Sequence, residues 1–362
     1  MQRIFKPTIL IFFISGLIAC GEQSVNNRLL TKASSKVGEL ILVMDSIQWK
    51  GPLGTALRKT LMSETPGLPR PEPLFIVRYI EPTLFNSVLN KARNIIFVAT
   101  LDSQTKGGQI VRNYMTKNYI QTHPDKFAIS QKDVYAKGQN ILYLFSSNKD
   151  ILTQRIYKNK AMIRDFFDQK EKQYLLSELY AAKEKKGINN DMLNKHGFRI
   201  RVPNGFRIEE DRGTFFWVRS VGKIDKNIFI SYQPYHSEEV FKKQNLIALR
   251  DSITHIHIFE DPADPDSYIV SDTINVRTEY RKITFDNKYG VELKGIWRSN
   301  TFGIGGPYVS VSFVDKSTNR LYYIEGFVIS PGVNKRDTMR ELETIIDTFR
   351  TREELKNSGT SG

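Results

Sequence analysis

The sequence has very little cysteine and no long hydrophobic run beyond its N-terminus. A single cysteine in 362 residues excludes a disulfide framework, a cysteine-based zinc site and an iron–sulfur cluster. No stretch after residue 19 approaches the roughly 18 consecutive apolar residues that suggest a membrane-spanning helix. The sequence also lacks a Gly-x-Ser-x-Gly motif, and its five histidines lie in no recognisable triad context. These absences favour a noncatalytic protein over an enzyme.

Composition and charge restrict the remaining classes. Hydrophobic residues make up 40% of the chain and aromatic residues 11%, which is enough to build a core and excludes wholesale disorder. The length favours two domains, because single cores stop growing at roughly 250 to 300 residues. The 53 basic residues exceed the 39 acidic residues by 14. This balance is compatible with nucleic acid, an anionic membrane or an acidic glycan as the partner.

The N-terminus predicts export and lipidation. Arg3 and Lys6 precede an apolar run over residues 8–19, which is too short to span a bilayer and is typical of a signal peptide over residues 1–19. The run ends at Cys20, and residues 17–20 (LIAC) resemble the lipobox of bacterial lipoproteins. That resemblance implies a diacylglyceryl group on the Cys20 thiol and an acyl group on its amine, with no other cofactor. The alternative is a plain signal peptide with a chance cysteine.

The segment after the cysteine indicates where the protein would lie. Residues 20–35 are polar and aperiodic, which predicts a flexible tether. By similarity to lipoprotein sorting rules, Gly21 favours the outer membrane, with the protein facing the periplasm. An exported protein meets little DNA, which argues against nucleic acid as the partner. Residues 36–186 carry 24 basic and 14 acidic residues, so we interpret the excess charge as a face towards lipid head groups or an anionic polymer.

The first half of the mature chain alternates apolar runs with amphipathic segments. Short apolar runs predict strands at residues 39–44, 74–80, 94–101 and 139–145. Leucine spacing over residues 51–64 predicts a helix, and Pro82 would open a second helix that runs through Phe85, Val88 and Leu89. Residues 36–148 are therefore expected to form an N-terminal α/β domain or a ferredoxin-like unit.

The second half is predicted to be rich in strands. A helical period extends over residues 151–186, and we interpret residues 149–190 as a long helix that links two domains. Strands dominate residues 191–352, with a hairpin turn at residues 203–205 and helices at 237–251 and 336–350, the last capped by Asn334. This pattern predicts an antiparallel α+β domain, which makes the whole chain α+β. Residues 353–362 are expected to be a disordered tail.

The C-terminal half resembles a known family. The resemblance is carried by GIWR at residues 295–298, GGP at 305–307, EGFV at 325–328 and SPGVNKRDTMRELETI at 330–345. These segments are similar to an uncharacterised family of Bacteroidota-type lipoproteins, classed as a domain of unknown function, and the resemblance implies no catalytic residues. Residues 202–206 and the final helix resemble PsbP-like and Mog1-like domains. Most such domains are binding and assembly modules.

One histidine pair suggests a metal site. Strand alternation would place His255 and His257 on one face, with Asp261 close behind. Two imidazoles and a carboxylate are suitable ligands for a transition metal such as zinc. The alternative is a solvent-facing strand edge followed by a turn that contains proline and aspartate.

One glycine-rich segment suggests a recognition surface. Trp297 and Arg298 precede Gly305 and Gly306, and pairs of an aromatic residue and arginine are common at binding sites. No Lys-Ser or Lys-Thr follows the glycines, so they do not form a phosphate-binding loop of the usual kind. The alternative is that Trp297 lies in the core and the glycines form a tight loop between strands.

The leading functional hypothesis is a lipid-anchored, noncatalytic module that binds or assembles an envelope protein or an anionic glycan. The anchor motif, the missing catalytic signatures and the resemblance to binding modules all favour it. One alternative is a metal-assisted envelope hydrolase that uses His255 and His257. Another is a structural spacer.

Overall fold

A computed structural model of the chain describes residues 30–115, 119–181 and 184–359. The predicted signal peptide, Cys20 and most of the predicted tether lie outside these ranges. None of the helices in the described ranges is both long and apolar enough to cross a membrane. The described residues form two domains, each built around its own β-sheet.

The N-terminal domain contains a five-stranded sheet in the order β2-β1-β3-β5-β4. Its strands are β1 (Glu39–Met44), β2 (Ile76–Ile80), β3 (Asn94–Thr100), β4 (Ala128–Lys132) and β5 (Asn140–Ser146). All pairs are parallel except the one between β4 and β5. The central strands are continuously apolar because helices cover both faces of the sheet. Of the two predicted alternatives, this is the α/β fold.

Six α-helices in the described part of the N-terminal domain follow or connect these strands. They are α1 (Ser46–Lys50), α2 (Pro52–Leu61), α3 (Lys106–Asn113), α4 (Tyr119–Thr122), α5 (Lys149–Lys158) and α6 (Lys160–Leu179). Helices α2, α5 and α6 bury leucine, isoleucine and phenylalanine side chains against one face, and α3 covers the other face. Helix α6 is therefore part of the N-terminal core and does not stand alone as a strut between domains.

Two of the predicted helices differ in the structure. The helix predicted over residues 151–186 breaks at Asn159, whose side-chain amide donates to the carbonyl of Arg155 (2.8 Å). The helix predicted from Pro82 through Leu89 is replaced by 3₁₀ turns at Pro82–Leu84 and Leu89–Lys91. The side chain of Asn86 accepts hydrogen bonds from the backbone N–H groups of residues 88 and 89, and this local bonding competes with helix formation.

The C-terminal domain is an antiparallel sheet between two helical layers. It contains α7 (Lys186–His196), β6 (Phe198–Arg199), β7 (Arg207–Arg212), β8 (Phe215–Ser220), β9 (Asp225–Pro234), α8 (Lys243–His257), β10 (Ile269–Asp272), β11 (Glu279–Phe285), β12 (Lys288–Ser299), β13 (Gly305–Asp315), β14 (Arg320–Ile329), α9 (Arg336–Ile346), β15 (Arg350–Thr351) and α10 (Arg352–Gly359). The sheet order is β10-β12-β13-β14-β9-β8-β7, and β11 also pairs with β12. Helix α8 packs on one face and α9 on the other.

Three details of the C-terminal prediction are wrong. Residues 203–205 do not join a hairpin, because β6 pairs with β15 whereas β7 pairs with β8. Helix α8 continues six residues beyond the predicted end at Asp251. Residues 353–359 of the predicted disordered tail belong to helix α10, where Glu354 accepts a hydrogen bond from the backbone of Thr351 (2.7 Å).

The N-terminus of α9 is capped from the other domain. The carboxylate of Glu72 accepts hydrogen bonds from the backbone N–H groups of Lys335 (2.7 Å) and Arg336 (3.0 Å). The predicted cap, Asn334, does not fill this role, because Lys335 occupies the N-cap position of α9, without a side-chain cap hydrogen bond of its own. A carboxylate satisfies the free N–H groups and interacts favourably with the helix dipole. Glu72 therefore couples the two domains through α9.

Replacing Glu72 with alanine is expected to destabilise the protein by about 2 kcal/mol, because two buried N–H groups lose their acceptor. The thermal or urea unfolding transition of the purified full chain measures this loss. Glu279→Gln is the control, since Glu279 is exposed on β11 and forms no ion pair among the described residues. Equal stability of Glu72→Ala and the unmodified chain would contradict the interdomain cap.

Candidate functional site

The predicted metal ligands do not converge. His255 and His257 lie on helix α8 rather than on a strand, so residues two apart point in widely different directions. The His257 ring stacks on Phe215 (centroids 3.8 Å apart), whereas the His255 ring stacks on Tyr268 (4.0 Å). The prediction that both imidazoles share one face is therefore wrong.

The carboxylates near these histidines do not join them in one ligand set. The His257 Nδ1 lies 2.8 Å from Glu210 Oε1, and the Asp261 carboxylate accepts from the backbone N–H of Ala263 (2.9 Å) in a local turn. Across the residues that the structure describes, no group of three or more histidine, cysteine or acidic side chains is placed to hold a metal ion. The histidines pack a helix against its neighbours.

The predicted recognition surface is mainly core. Trp297 is 1% exposed and packs edge-to-face on Phe327, while Gly305 and Gly306 lie in β13 opposite Arg298 and Trp297. A side chain at Gly306 would collide with the carbonyl of Val328, which explains why a glycine is needed there. Gly305 is exposed at the start of β13, and Arg298 is half-buried, with its guanidinium over the ring of Phe302 at 4.0 Å.

In an open α/β fold, ligands usually bind at the carboxyl edge of the sheet, at the point where the strand order reverses. This point lies between β1 and β3. Here the Asp45 carboxylate accepts from the Thr105 hydroxyl and from the backbone N–H of Gln48 (3.0 Å). The Gln48 amide donates to the Thr100 hydroxyl (2.6 Å). The polar groups at this edge thus satisfy one another.

A large open cleft lies at one end of the C-terminal sheet. Its volume is about 1040 Å³, which is at the upper end of the usual range for ligand pockets. It is formed by the end of β9, the 3₁₀ turn at Glu238–Phe241, strand β11 and the turns that follow β11 and β13. Arg298 lies ten residues along β12 from Lys288 in the cleft, which is about 30 Å in a strand. The cleft is therefore separate from the predicted recognition surface.

Aromatic side chains form much of the cleft lining. Phe241 is wedged between Tyr235 (ring centroids 6.4 Å apart) and Tyr289 (5.4 Å). The hydroxyl of Tyr280 donates to the carbonyl of Phe241 (3.0 Å) and fixes the 3₁₀ turn against β11. Burial raises the pKa of Tyr280, so this hydroxyl stays protonated at neutral pH. The Tyr289 ring is 53% exposed and presents a free aromatic surface.

Four lysines also line the cleft. Two of them form ion pairs with carboxylates, and the other two do not. Lys242 pairs with Glu239 (2.5 Å), and Lys288 pairs with Glu354 of helix α10. Lys282 and Lys316 form no ion pair with any described carboxylate, although both are exposed. The cleft therefore has two uncommitted cations.

The lining also contains two carboxylates and several neutral polar groups, and with Glu239 and Glu354 the carboxylates equal the four lysines in number. Asp315 is buried and accepts from the hydroxyls of Ser317 (2.8 Å) and Thr318 (2.8 Å), so it serves the turn after β13. Glu238 lies in the lining without a cationic partner among the described residues. Asn287, Ser317 and Asn319 add amide and hydroxyl groups at the rim. The result is an open, aromatic cleft whose formal charges balance, but in which Lys282 and Lys316 lie outside ion pairs.

Sequence reasoning did not identify this cleft. One signal was present, because the alternation in β11 places Tyr280 and Lys282 on the same face of the strand. The remaining residues come from segments up to 84 positions apart, from Tyr235 to Asn319. Only the sheet topology brings them together.

The chain matches two family models. Residues 33–180 match the model described as Domain of unknown function (DUF8532), and residues 185–348 match Domain of unknown function (DUF4837). These matches confirm the predicted resemblance to a domain of unknown function. No curated protein matches the sequence.

Two solved structures show remote similarity to parts of this chain. The Ran-binding protein Mog1p of Saccharomyces cerevisiae has 8% identity and a TM-score of 0.30, with 43% of this chain and 90% of that chain covered. A structure from Bacteroides thetaiotaomicron has 14% identity and a TM-score of 0.24, with 44% of this chain and 46% of that chain covered. The two family matches thus divide the chain into a segment similar to DUF8532 followed by a segment similar to DUF4837, both described as domains of unknown function.

Proposed function

We propose that this chain is a lipid-anchored, noncatalytic protein of the cell envelope, and that its C-terminal cleft holds another envelope component. The cleft is the observation that carries the proposal. It combines an exposed aromatic surface with uncommitted lysines in an open volume of about 1040 Å³. Such a surface is suited to recognition, since binding sites combine apolar walls with a few oriented polar groups.

The arrangement of side chains favours binding over catalysis. Among the described residues, the cleft lining contains no histidine or cysteine, and the hydrogen bond from the Ser317 hydroxyl to Asp315 (2.8 Å) lies within the turn after β13. The sequence around Cys20 supports the anchor, because two or more acyl chains hold a protein at a membrane. The N-terminal domain would then lie between the anchor and the cleft.

Crosslinking in intact envelopes tests the binding role. A photoreactive residue replaces Asn319 at the cleft rim, and a second variant carries it at Lys223, an exposed position in the turn between β8 and β9. We expect an envelope component to crosslink at position 319 and not at position 223. Equal labelling at both positions, or none at either, would overturn the binding role and favour a spacer.

Fractionation tests the anchor separately. Changing Cys20 to alanine removes the only thiol that can carry the lipid. We expect the protein to move from the membrane fraction to the soluble fraction, because one or more acyl chains contribute about 0.8 kcal/mol for each buried CH₂ group. Serine at position 20 should behave in the same way. Membrane retention of both variants would contradict a lipid anchor.

A further inference from the structure

We infer that the ligand of the C-terminal cleft is an acidic glycan of the envelope, bound by stacking on tyrosine and by ion pairs with Lys282 and Lys316. This inference rests on the binding role proposed above and names its ligand class. It draws on the shape of the cleft, its aromatic surface, its uncommitted charges and its rim.

The aromatic surface fits a sugar ring. A pyranose has apolar C–H faces and a polar edge, and a tyrosine ring offers the matching combination of an apolar face and a hydroxyl. Tyr289 is half exposed and is held in place by the edge of Phe241, so its orientation is fixed before a ligand arrives. A fixed ring loses little conformational entropy on binding.

The two lysines without ion-pair partners indicate a negatively charged ligand. The other two cleft lysines already have carboxylate partners, and only Lys282 and Lys316 are available to a ligand anion. They lie on different elements, β11 and the turn after β13, so they would contact separate acidic groups along one molecule. Glu238 also lies in the cleft lining, where its carboxylate can accept hydrogen bonds from sugar hydroxyl groups.

The size and rim of the cleft favour a glycan over a small anion. A volume of about 1040 Å³ is far larger than one inorganic anion requires. The rim offers side-chain hydroxyl and amide groups from Asn287, Ser317 and Asn319, which suit a ligand rich in hydroxyls. A bound peptide strand would use backbone hydrogen bonds along a sheet edge such as that of β11, and the polyglutamate probe below separates this occupant from a glycan.

Calorimetric titration of the purified full chain in detergent tests the ligand class. Four probes are compared: an oligogalacturonate, a chito-oligosaccharide of the same length, polyglutamate and inorganic phosphate. We expect the oligogalacturonate to bind, the neutral chito-oligosaccharide to bind at least tenfold more weakly, and the other two probes to show no saturable binding. Oligogalacturonate affinity should also fall as salt concentration rises.

Variants assign the binding to the cleft. The double variant K282Q/K316Q should lose at least tenfold in oligogalacturonate affinity, whereas K223Q should bind like the unmodified chain. Tyr289→Ala should weaken both saccharides, and Tyr157→Ala, which removes an exposed tyrosine of α5, should weaken neither. All five substitutions in these four variants are at exposed positions, and the unfolding midpoint of each variant checks that the fold is retained.

Two kinds of result would overturn the inference. Polyglutamate binding as tightly as oligogalacturonate would identify an acidic peptide as the ligand, and competition by phosphate alone would identify a simple anion site. If no saccharide binds while the position 319 variant still crosslinks in envelopes, the glycan assignment fails and the binding role stands. If both experiments are negative, both proposals fail.

Discussion

Replacing Arg250 with methionine is expected to destabilise the C-terminal domain by about 3 to 5 kcal/mol, because it leaves a buried carboxylate without its partner. Arg250 and Glu325 both have side chains with no solvent exposure. The guanidinium donates to both carboxylate oxygens at 2.9 Å and covers the ring of Tyr308 at 4.2 Å. The Tyr323 hydroxyl also donates to Glu325 (2.7 Å). The ion pair is thus sealed between helix α8 and the sheet.

The pH dependence of this variant has a definite sign. Burial raises the pKa of Glu325 even though Arg250 opposes the shift. A carboxyl group with a raised pKa in the folded state favours folding when it is protonated, so stability from this group increases as the pH falls. Without the opposing charge of Arg250, the pKa of Glu325 rises further. The stability deficit of Arg250→Met should therefore be largest at neutral pH and should shrink in acid.

Urea unfolding of a double-mutant cycle measures this expectation. The variants are Arg250→Met, Glu325→Leu and the double replacement, each followed at neutral and acidic pH. The double variant should recover much of the loss, because a buried ion pair can often be replaced by apolar side chains of similar volume. A single variant within 1 kcal/mol of the unmodified chain would be inconsistent with this account, as would a double variant that is less stable than both single variants.

Local sequence pattern predicted most strands correctly, and for a clear physical reason. The runs ELILVM at residues 39–44 and NILYLFS at residues 140–146 are buried on both faces, so their hydrophobicity alone marks them. Strand β4 was missed because it lies at the sheet edge, where only part of it is buried and its sequence AISQK is mostly polar. The hydrophobic pattern therefore indicates which residues are buried, and it does not by itself indicate which residues form strands.

Contacts between distant residues account for the errors in the rest of the fold. The cap of α9 is Glu72, which lies 264 residues before Arg336 in the chain, and no local motif could reveal it. The long helical period over residues 151–186 persists across the break at Asn159 because both α5 and α6 bury their apolar faces in the same core. Hydrophobic spacing does not record such a break.

The candidate site was predictable only as separate fragments. The alternation of Tyr280 and Lys282 on β11 is visible in the sequence, but the free state of Lys282 and Lys316 depends on where every nearby carboxylate lies. The metal site predicted at the histidine pair was wrong for a different reason. The spacing of two residues is a plausible ligand pattern on a strand, but these histidines lie on a helix. An interval of two residues shares a face on a strand and separates on a helix.

The second large effect concerns the junction between the domains. Glu343 of α9 lies between Lys294 of β12 (2.5 Å) and Lys172 of α6 (3.4 Å), so one carboxylate holds cations from both domains. Burial alone would raise the pKa of Glu343, but the charges of Lys294 and Lys172 outweigh it and lower this pKa to about 2. Its ordinary value is 4.5. The ionised carboxylate therefore favours the folded state.

The lowering of the Glu343 pKa corresponds to about 3 kcal/mol of folding free energy, at roughly 1.4 kcal/mol for each pKa unit. Because the pKa is lowered on folding, this stabilisation is fully present above about pH 4.5 and is lost as the pH falls towards 2. Glu343→Gln should therefore destabilise the protein by about 3 kcal/mol at pH 7 and by much less at pH 3. Urea unfolding at both pH values measures the two differences.

A control on the same helix separates this junction from ordinary surface charge. Glu341 pairs with Lys226 of its own domain at 2.6 Å, and Glu341→Gln should cost about 1 kcal/mol or less. Since Lys172 belongs to the N-terminal domain, Glu343→Gln should also speed proteolysis of the segment between α6 and α7, whereas Glu341→Gln should not. A pH-independent loss in Glu343→Gln, or equal proteolysis of both variants, would show that the carboxylate does not hold the domains together.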